Sequence, residues 1–194
     1  MSLQVTFELQ EQDLDYFREL MEKTQSLLNT TERTAQTDTA ILTAARALLD
    51  VVNPRLPQFV RERLDVLAQL VAMVEDAEWN LDADEKADVL AALAYFTKPE
   101  DIIADHIPVL GFLDDAIMIE LVARELDDEL KAFAEFNQYR EAELARRGDA
   151  AKLTKADWLE NKRQELHSWM RRRRHDRRSG GSGSGFRSVF SFRG

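Results

Sequence analysis

The placement of glycine sets the first limit on this 194-residue chain. Five of its seven glycines (Gly180, Gly181, Gly183, Gly185 and Gly194) fall after residue 179, and only Gly111 and Gly148 precede them. Tight hairpin turns draw on glycine for positive φ, so a body this poor in glycine is not an all-β protein. The four prolines, at 54, 57, 99 and 108, supply most of the remaining punctuation. Between these breakers run stretches long enough for helices of several turns.

Apolar spacing fills those stretches with helical stripes. After a short extended VTFEL, residues 11–29 carry Leu14, Phe17, Leu20/Met21, Thr24 and Leu27/Leu28. Thr37 or Asp38 is expected to cap a second helix that runs through Ile41, Ala45, Leu48 and Val52 to a stop at Pro54. A third opens with Pro57 in its first turn and repeats Val60, Leu64, Leu67, Val71 and Val74 in steps of four and three. The D-x-x-E box Asp82–Glu85 starts a fourth, with Val89, Leu90, Leu93 and Phe96 before Pro99. Ile119, Val122, Leu126, Leu130, Phe133 and Phe136 predict one long fifth helix continuing to Arg147. Thr154 with Asp157 is expected to cap a sixth, whose Trp158/Leu159, Leu166 and Trp169 lead into an arginine cluster. The expectation is an all-α bundle of about six helices with a flexible basic C-terminal tail. Its parts are an N-terminal helical region (1–94), a central motif with a long helix (95–150), a basic helix (151–178) and the tail (179–194).

Composition narrows the function classes. The absence of cysteine excludes a disulfide framework, a thiolate metal site and a cysteine nucleophile. Acids stand where a signal peptide needs a basic start, and no apolar stretch approaches the roughly 20 residues of a membrane span. A cytoplasmic protein, at most peripheral to a membrane, is expected. No G-x-S-x-G, H-E-x-x-H, Walker A or G-x-G-x-x-G pattern occurs. His106, His167 and His175 have no partner at metal-ligand spacing, and the last two are expected on the solvated side of a polar helix.

The central segment is the most distinctive. Residues 95–115 read YFTKPEDIIADHIPVLGFLDD, followed by the apolar AIMIELVARELDDELKAF. This resembles the signature of the YkvA-like DUF1232 family, in which a proline leads to D-x-I-P-D-x-I-P-V-x-G-x-x-D-D and an apolar helix. The matching positions are Pro99, Asp101, Ile103, Asp105, Ile107, Pro108, Gly111, Asp114 and Asp115, while Ala104 replaces the middle proline and His106 an apolar or aromatic residue. The resemblance implies a short helical module, accompanied in some members by membrane segments, and brings no established activity.

Read for themselves, Asp101 and Asp105 are four apart, on one face of any helix there, and Asp114 and Asp115 follow the Pro108-x-x-Gly111 turn. If the turn reverses the chain, three or four of these carboxylates would come within metal-ligand reach of one another, an all-oxygen set suited to Mg²⁺, Mn²⁺ or Ca²⁺, with His106 as an added nitrogen donor. The other use of the same residues is ordinary helix-start chemistry, an N-cap with a first-turn acid. Pro99, Pro108 and Gly111 read as structural.

From Arg171 to Gly194 there are eight arginines, no lysine and one aspartate, so the net charge of −10 divides into −17 for residues 1–170 and +7 for the last 24. Arg171, Arg172, Arg173, Arg174, Arg177 and Arg178 form a helix extension, and after the SGGSGSG linker Phe186, Phe190 and Phe192 interleave with Arg187 and Arg193. Such a segment suits docking on the chain's own acidic surface, on a second copy or on another acidic protein face, on an anionic membrane surface, or on nucleic acid. The leading expectation is a non-enzymatic helical adaptor docking through this tail. The alternatives are a carboxylate-based divalent-metal protein, with hydrolysis as the reaction it would support, and a nucleic-acid binder.

Overall fold

The computed structural model describes residues 8–30, 34–50, 56–97, 103, 111–147 and 151–179. Among them are seven α-helices, one 3₁₀ turn and no strand, so the all-α expectation holds. The helices are α1 (Glu11–Thr30), α2 (Ala35–Leu49), α3 (Gln58–Glu75), α4 (Ala83–Leu93), α5 (Leu113–Glu125), α6 (Asp127–Arg147) and α7 (Ala151–Ser179), with the 3₁₀ turn at Ala94–Thr97. They form two compact units, Met1–Asp127 and Asp128–Gly194.

In the first unit α3 is the central element, packing against α2, α4 and α5. Val60, Leu64, Leu67, Val71 and Val74 are all buried, as their spacing predicts, and Leu70 and Met73 widen the stripe so that α3 meets neighbours on more than one side. Each such side chain contributes about 1.5–3 kcal/mol on full burial. Pro57 occupies the N-cap of α3, where the N–H it lacks would have no intrahelical partner. At the other end Asp76 Oδ1 accepts the N–H groups of Glu78 (2.8 Å) and Trp79 (3.0 Å), and Asn80 takes φ 48°, a left-handed conformation that asparagine tolerates. That turn delivers the buried Trp79 to the core and leads to Asp82. The expected capping box is present: Asp82 Oδ1 accepts from the Glu85 N–H (2.8 Å), and Glu85 Oε2 accepts from the Asp82 N–H (3.2 Å). Val89, Leu90 and Leu93 of α4 and Phe96 of the 3₁₀ turn are buried. Leu14, Met21 and Thr24 bury the described stripe of α1.

Three expected helix boundaries are corrected. The cap of α2 is Thr34, whose Oγ1 accepts from the Thr37 N–H at 3.2 Å. Thr37 therefore supplies a donor within the first turn, and Asp38 is a first-turn acid favoured by the helix dipole. The helix ends at Leu49, and Val52 and Pro54 lie outside the described residues. The single fifth helix is instead two, making seven in place of six. Leu126 takes φ −101°, ψ 22°, outside the helical region, and Asp127, Asp128 and Glu129 begin α6 with three acids in its first turn. Finally, α7 starts at Ala151, so Thr154 and Asp157 lie inside the helix; a cap must precede the first helical residue.

In the second unit α6 and α7 run antiparallel, as three side-chain contacts in reverse order demonstrate. The Tyr139 and Trp158 rings meet edge to face at 5.7 Å, Lys162 Nζ donates to Glu135 Oε1 at 2.6 Å, and Arg173, Arg174 and Arg177 reach Asp128 and Glu129. Trp158, Leu159, Leu166, His167 and Met170 form the buried face of α7. His167, expected on a solvated surface, is buried because it shares this face with Leu166 and Met170, whereas His175 is exposed as expected. Met170 takes the core position expected for Trp169, which is half-buried. Among the described residues no helix is long and apolar enough to cross a membrane.

Candidate functional site

The central motif lies between α4 and α5. Gly111 is buried in the turn that leads to α5, and Phe112 occupies the N-cap position without a side-chain capping bond. Asp114 and Asp115 are therefore first-turn acids and not the cap itself. Both are buried, at 2% and 8% exposure, which a carboxylate tolerates only with compensating donors. One donor comes from far along the chain: the Ile103 N–H bonds Asp114 Oδ2 at 3.0 Å. Asp114 thus ties Ile103 to the start of α5, where the helix dipole adds to the stabilisation of negative charge. Behind it, Ile117, Met118, Ile119, Leu121 and Val122 bury the body of α5. Glu120 fastens α5 to α3, taking Arg63 Nε at 2.6 Å on one oxygen and Arg124 Nε at 2.5 Å on the other.

Of the expected carboxylate set, Asp114 and Asp115 are placed side by side in this first turn. Asp101 and Asp105 lie outside the described residues, as do His106, Pro99 and Pro108. Among the described residues no group of three or more His, Cys, Asp or Glu is arranged to hold a metal ion. What the described geometry does chemically is hold a buried carboxylate against a backbone N–H and a helix N-terminus.

The second site is the arginine cluster, which α7 carries as an unbroken helical extension to Ser179. Arg174 follows Met170 by four residues and so continues the buried face; its Nη2 donates to Glu129 Oε1 at 3.1 Å. Arg173 Nε donates to Asp128 Oδ1 at 3.3 Å, and Arg177 Nη2 lies 3.4 Å from Asp128 Oδ2 and 3.5 Å from Glu129 Oε1. The two acids are nearly inaccessible, with side-chain exposures of 5% and 2%, while Arg173 and Arg177 remain 58% and 44% exposed. Arg173 also lies over the Trp169 ring, at 5.9 Å from its centroid. Helix ends reinforce the match, since acids at the start of α6 face cations at the end of α7, each the sign its terminus favours. Arg171 and Arg172 are exposed. The Arg178 side chain lies outside the described part, together with Phe186, Arg187, Phe190, Phe192 and Arg193.

Asp128 and Glu129 are the site residues that sequence reasoning missed. The signal that could have found them is a repeated tripeptide: Leu-Asp-Asp occurs at 113–115 and again at 126–128. Each copy begins a helix.

No curated protein and no solved structure matches the chain. A family model does match, over residues 85–121, from the glutamate of the capping box through α4, the 3₁₀ turn and the motif into α5. That model is DUF1232, described as a protein of unknown function, and the stretch of the chain that is similar to it includes the buried acid pair at the start of α5.

Proposed function

We propose that the protein is a non-enzymatic helical interaction module whose C-terminal arginines bind carboxylates on an acidic protein partner. The supporting observation is the grip of Arg173, Arg174 and Arg177 on Asp128 and Glu129, four N···O contacts between 3.1 and 3.5 Å. Arginine forks suit carboxylate pairs, and the charge division of the chain supplies long-range attraction to an acidic surface within the roughly 8 Å reach that physiological salt leaves. The test is binding of the full chain, in 0.15 M salt, to poly-glutamate, to phosphatidylserine vesicles and to duplex DNA. Poly-glutamate binding that is lost when Arg171, Arg172, Arg187 and Arg193 are all changed to Gln supports the reading. Binding to vesicles or DNA alone, the latter with a steep salt slope, overturns it.

A second reading, a divalent-cation site, draws on the Ile103 bond to Asp114. That bond brings to the Asp114 carboxylate a residue flanked two positions away on either side by Asp101 and Asp105. It calls for a rise in melting temperature with Mg²⁺, Mn²⁺ or Ca²⁺ that the Asp114→Asn/Asp115→Asn protein lacks. An unchanged melting temperature in the parent protein removes it.

A further inference from the structure

The contacts between α6 and α7 go beyond fastening a hairpin. Two carboxylates with side chains 5% and 2% exposed are held by guanidinium groups of which two are about half exposed. The polar contacts run from 3.1 to 3.5 Å, longer than the roughly 2.7–2.9 Å of strong charge-assisted bonds. Glu129 Oε1 is shared between Arg174 and Arg177, while Glu129 Oε2 accepts no hydrogen bond among the described residues. The arginines are thus engaged by these two acids, through contacts that are long for charge-assisted bonds. What engages them is a pair of adjacent acids in the first turn of a helix, a structure any acidic helical partner can present.

We infer that Asp128 and Glu129 are an internal pseudo-ligand, which occupies the arginine cluster in cis and holds it closed against an acidic helical partner. The inference rests on the proposed reading that these arginines bind carboxylates, and it adds the form of the ligand and the regulation of the site. Covalent connection gives the internal acids an effective concentration that is high, in the millimolar range for a short flexible tether, and an external helix must compete with it. Partner affinity is reduced by the fraction of time the cluster is open. Helical geometry divides the cluster accordingly. Arg173, Arg174 and Arg177 face the internal acids, while Arg172, with His175 and Asp176 beside it, lies on the exposed side, where a partner makes its first contact.

The experiment measures binding of a fluorescein-labelled, alanine-based helical peptide that opens with Asp-Asp-Glu. The proteins compared are the full chain, Asp128→Asn, Asp128→Asn/Glu129→Gln, and a control, Glu22→Gln/Asp84→Asn. The control removes two exposed acids, changing net charge by the same amount while leaving the cluster closed. The expected order is tightest for the double variant, by about tenfold over the full chain, intermediate for Asp128→Asn, and unchanged for the control. Asp128→Asn keeps Glu129 against Arg174 and Arg177 and so carries the test if the double variant does not fold, as judged by circular dichroism. Equal affinity of the opened variants and the control overturns the inference while leaving the carboxylate reading in place. Binding of the peptide by none of the four proteins overturns both. Release of binding to phosphatidylserine vesicles but not to the peptide overturns it in favour of a lipid surface.

Discussion

Replacing Asp114 with alanine tests the central motif at its tightest point. Asp114 is 2% exposed and accepts the Ile103 N–H at 3.0 Å from eleven residues away. Removing it takes away a hydrogen bond to a charged acceptor, about 1.5–3 kcal/mol, and a first-turn acid, about 0.3–1 kcal/mol. The expected destabilisation is therefore about 2–4 kcal/mol. Asp114→Asn keeps an acceptor oxygen in place and loses only the charge, so about 1 kcal/mol is expected. Urea denaturation gives the equilibrium values, and residue-resolved hydrogen exchange reads the bond itself through the Ile103 amide. In the alanine variant that amide should exchange faster than in the asparagine variant, in proportion to the loss of protection. The reasoning is refuted by an alanine variant within about 0.5 kcal/mol of the parent, the range of ordinary surface substitutions, or by an Ile103 amide that exchanges equally fast in all three proteins.

Asp82→Ala removes one half of the capping box and should lower stability by about 1 kcal/mol in urea denaturation, with Asp82→Ser recovering most of the loss. The Glu135 carboxylate that accepts from Lys162 Nζ raises the Lys162 ammonium above its ordinary value of 10.5, against the opposing effect of burial. Because the folded value lies above the unfolded one, this contribution is complete below about pH 10.5 and fades as pH rises through the folded value. The stability difference between the parent and Lys162→Met, at most about 1 kcal/mol because Glu135 is largely solvated, should hold at neutral pH and close above pH 10.5 in urea denaturation.

Much of the fold is legible in local pattern, because the elements with strong patterns are those whose tertiary partners demand it. α3 is packed on three sides, and each residue of its expected stripe is buried; the Asp82–Glu85 box is self-contained and needs no tertiary information. The break between α5 and α6 is invisible to periodicity because the apolar phase continues across it. Ile119, Val122, Leu126, Phe133 and Phe136 are all buried although Leu126 leaves the helical conformation. Only charge marks the break, in the acids of 127–129, and a run of acids in a long helix reads as solvated surface until the dipole of a new helix start is considered. His167 shows the converse. A histidine in a basic, polar helix suggests exposure, yet its position relative to Met170 places it on the inward face.

The arginine cluster was legible as chemistry and as a helix extension but not in which of its arginines turn inward, and the difference bears on how its charge acts. Summed along the chain, residues 171–194 form a +7 arm against a −17 body, which describes a free polycation. Helical phase changes that description. Arg174 extends the stripe of Leu159, Leu166 and Met170, so it is directed inward before any electrostatic preference operates, and Arg173 and Arg177 flank it. Three of the eight arginines are thereby committed to two carboxylates that are themselves nearly inaccessible. A buried carboxylate pair is costly to leave uncompensated, so those arginines belong to the fold of the second unit as long as nothing else offers the acids or the guanidinium groups a better exchange. Among the described residues of the arm, Arg171 and Arg172 are the exposed arginines outside this cluster. A salt titration of the full chain and of Asp128→Asn/Glu129→Gln separates the two populations, since only the inward arginines gain accessibility when the internal acids are neutralised.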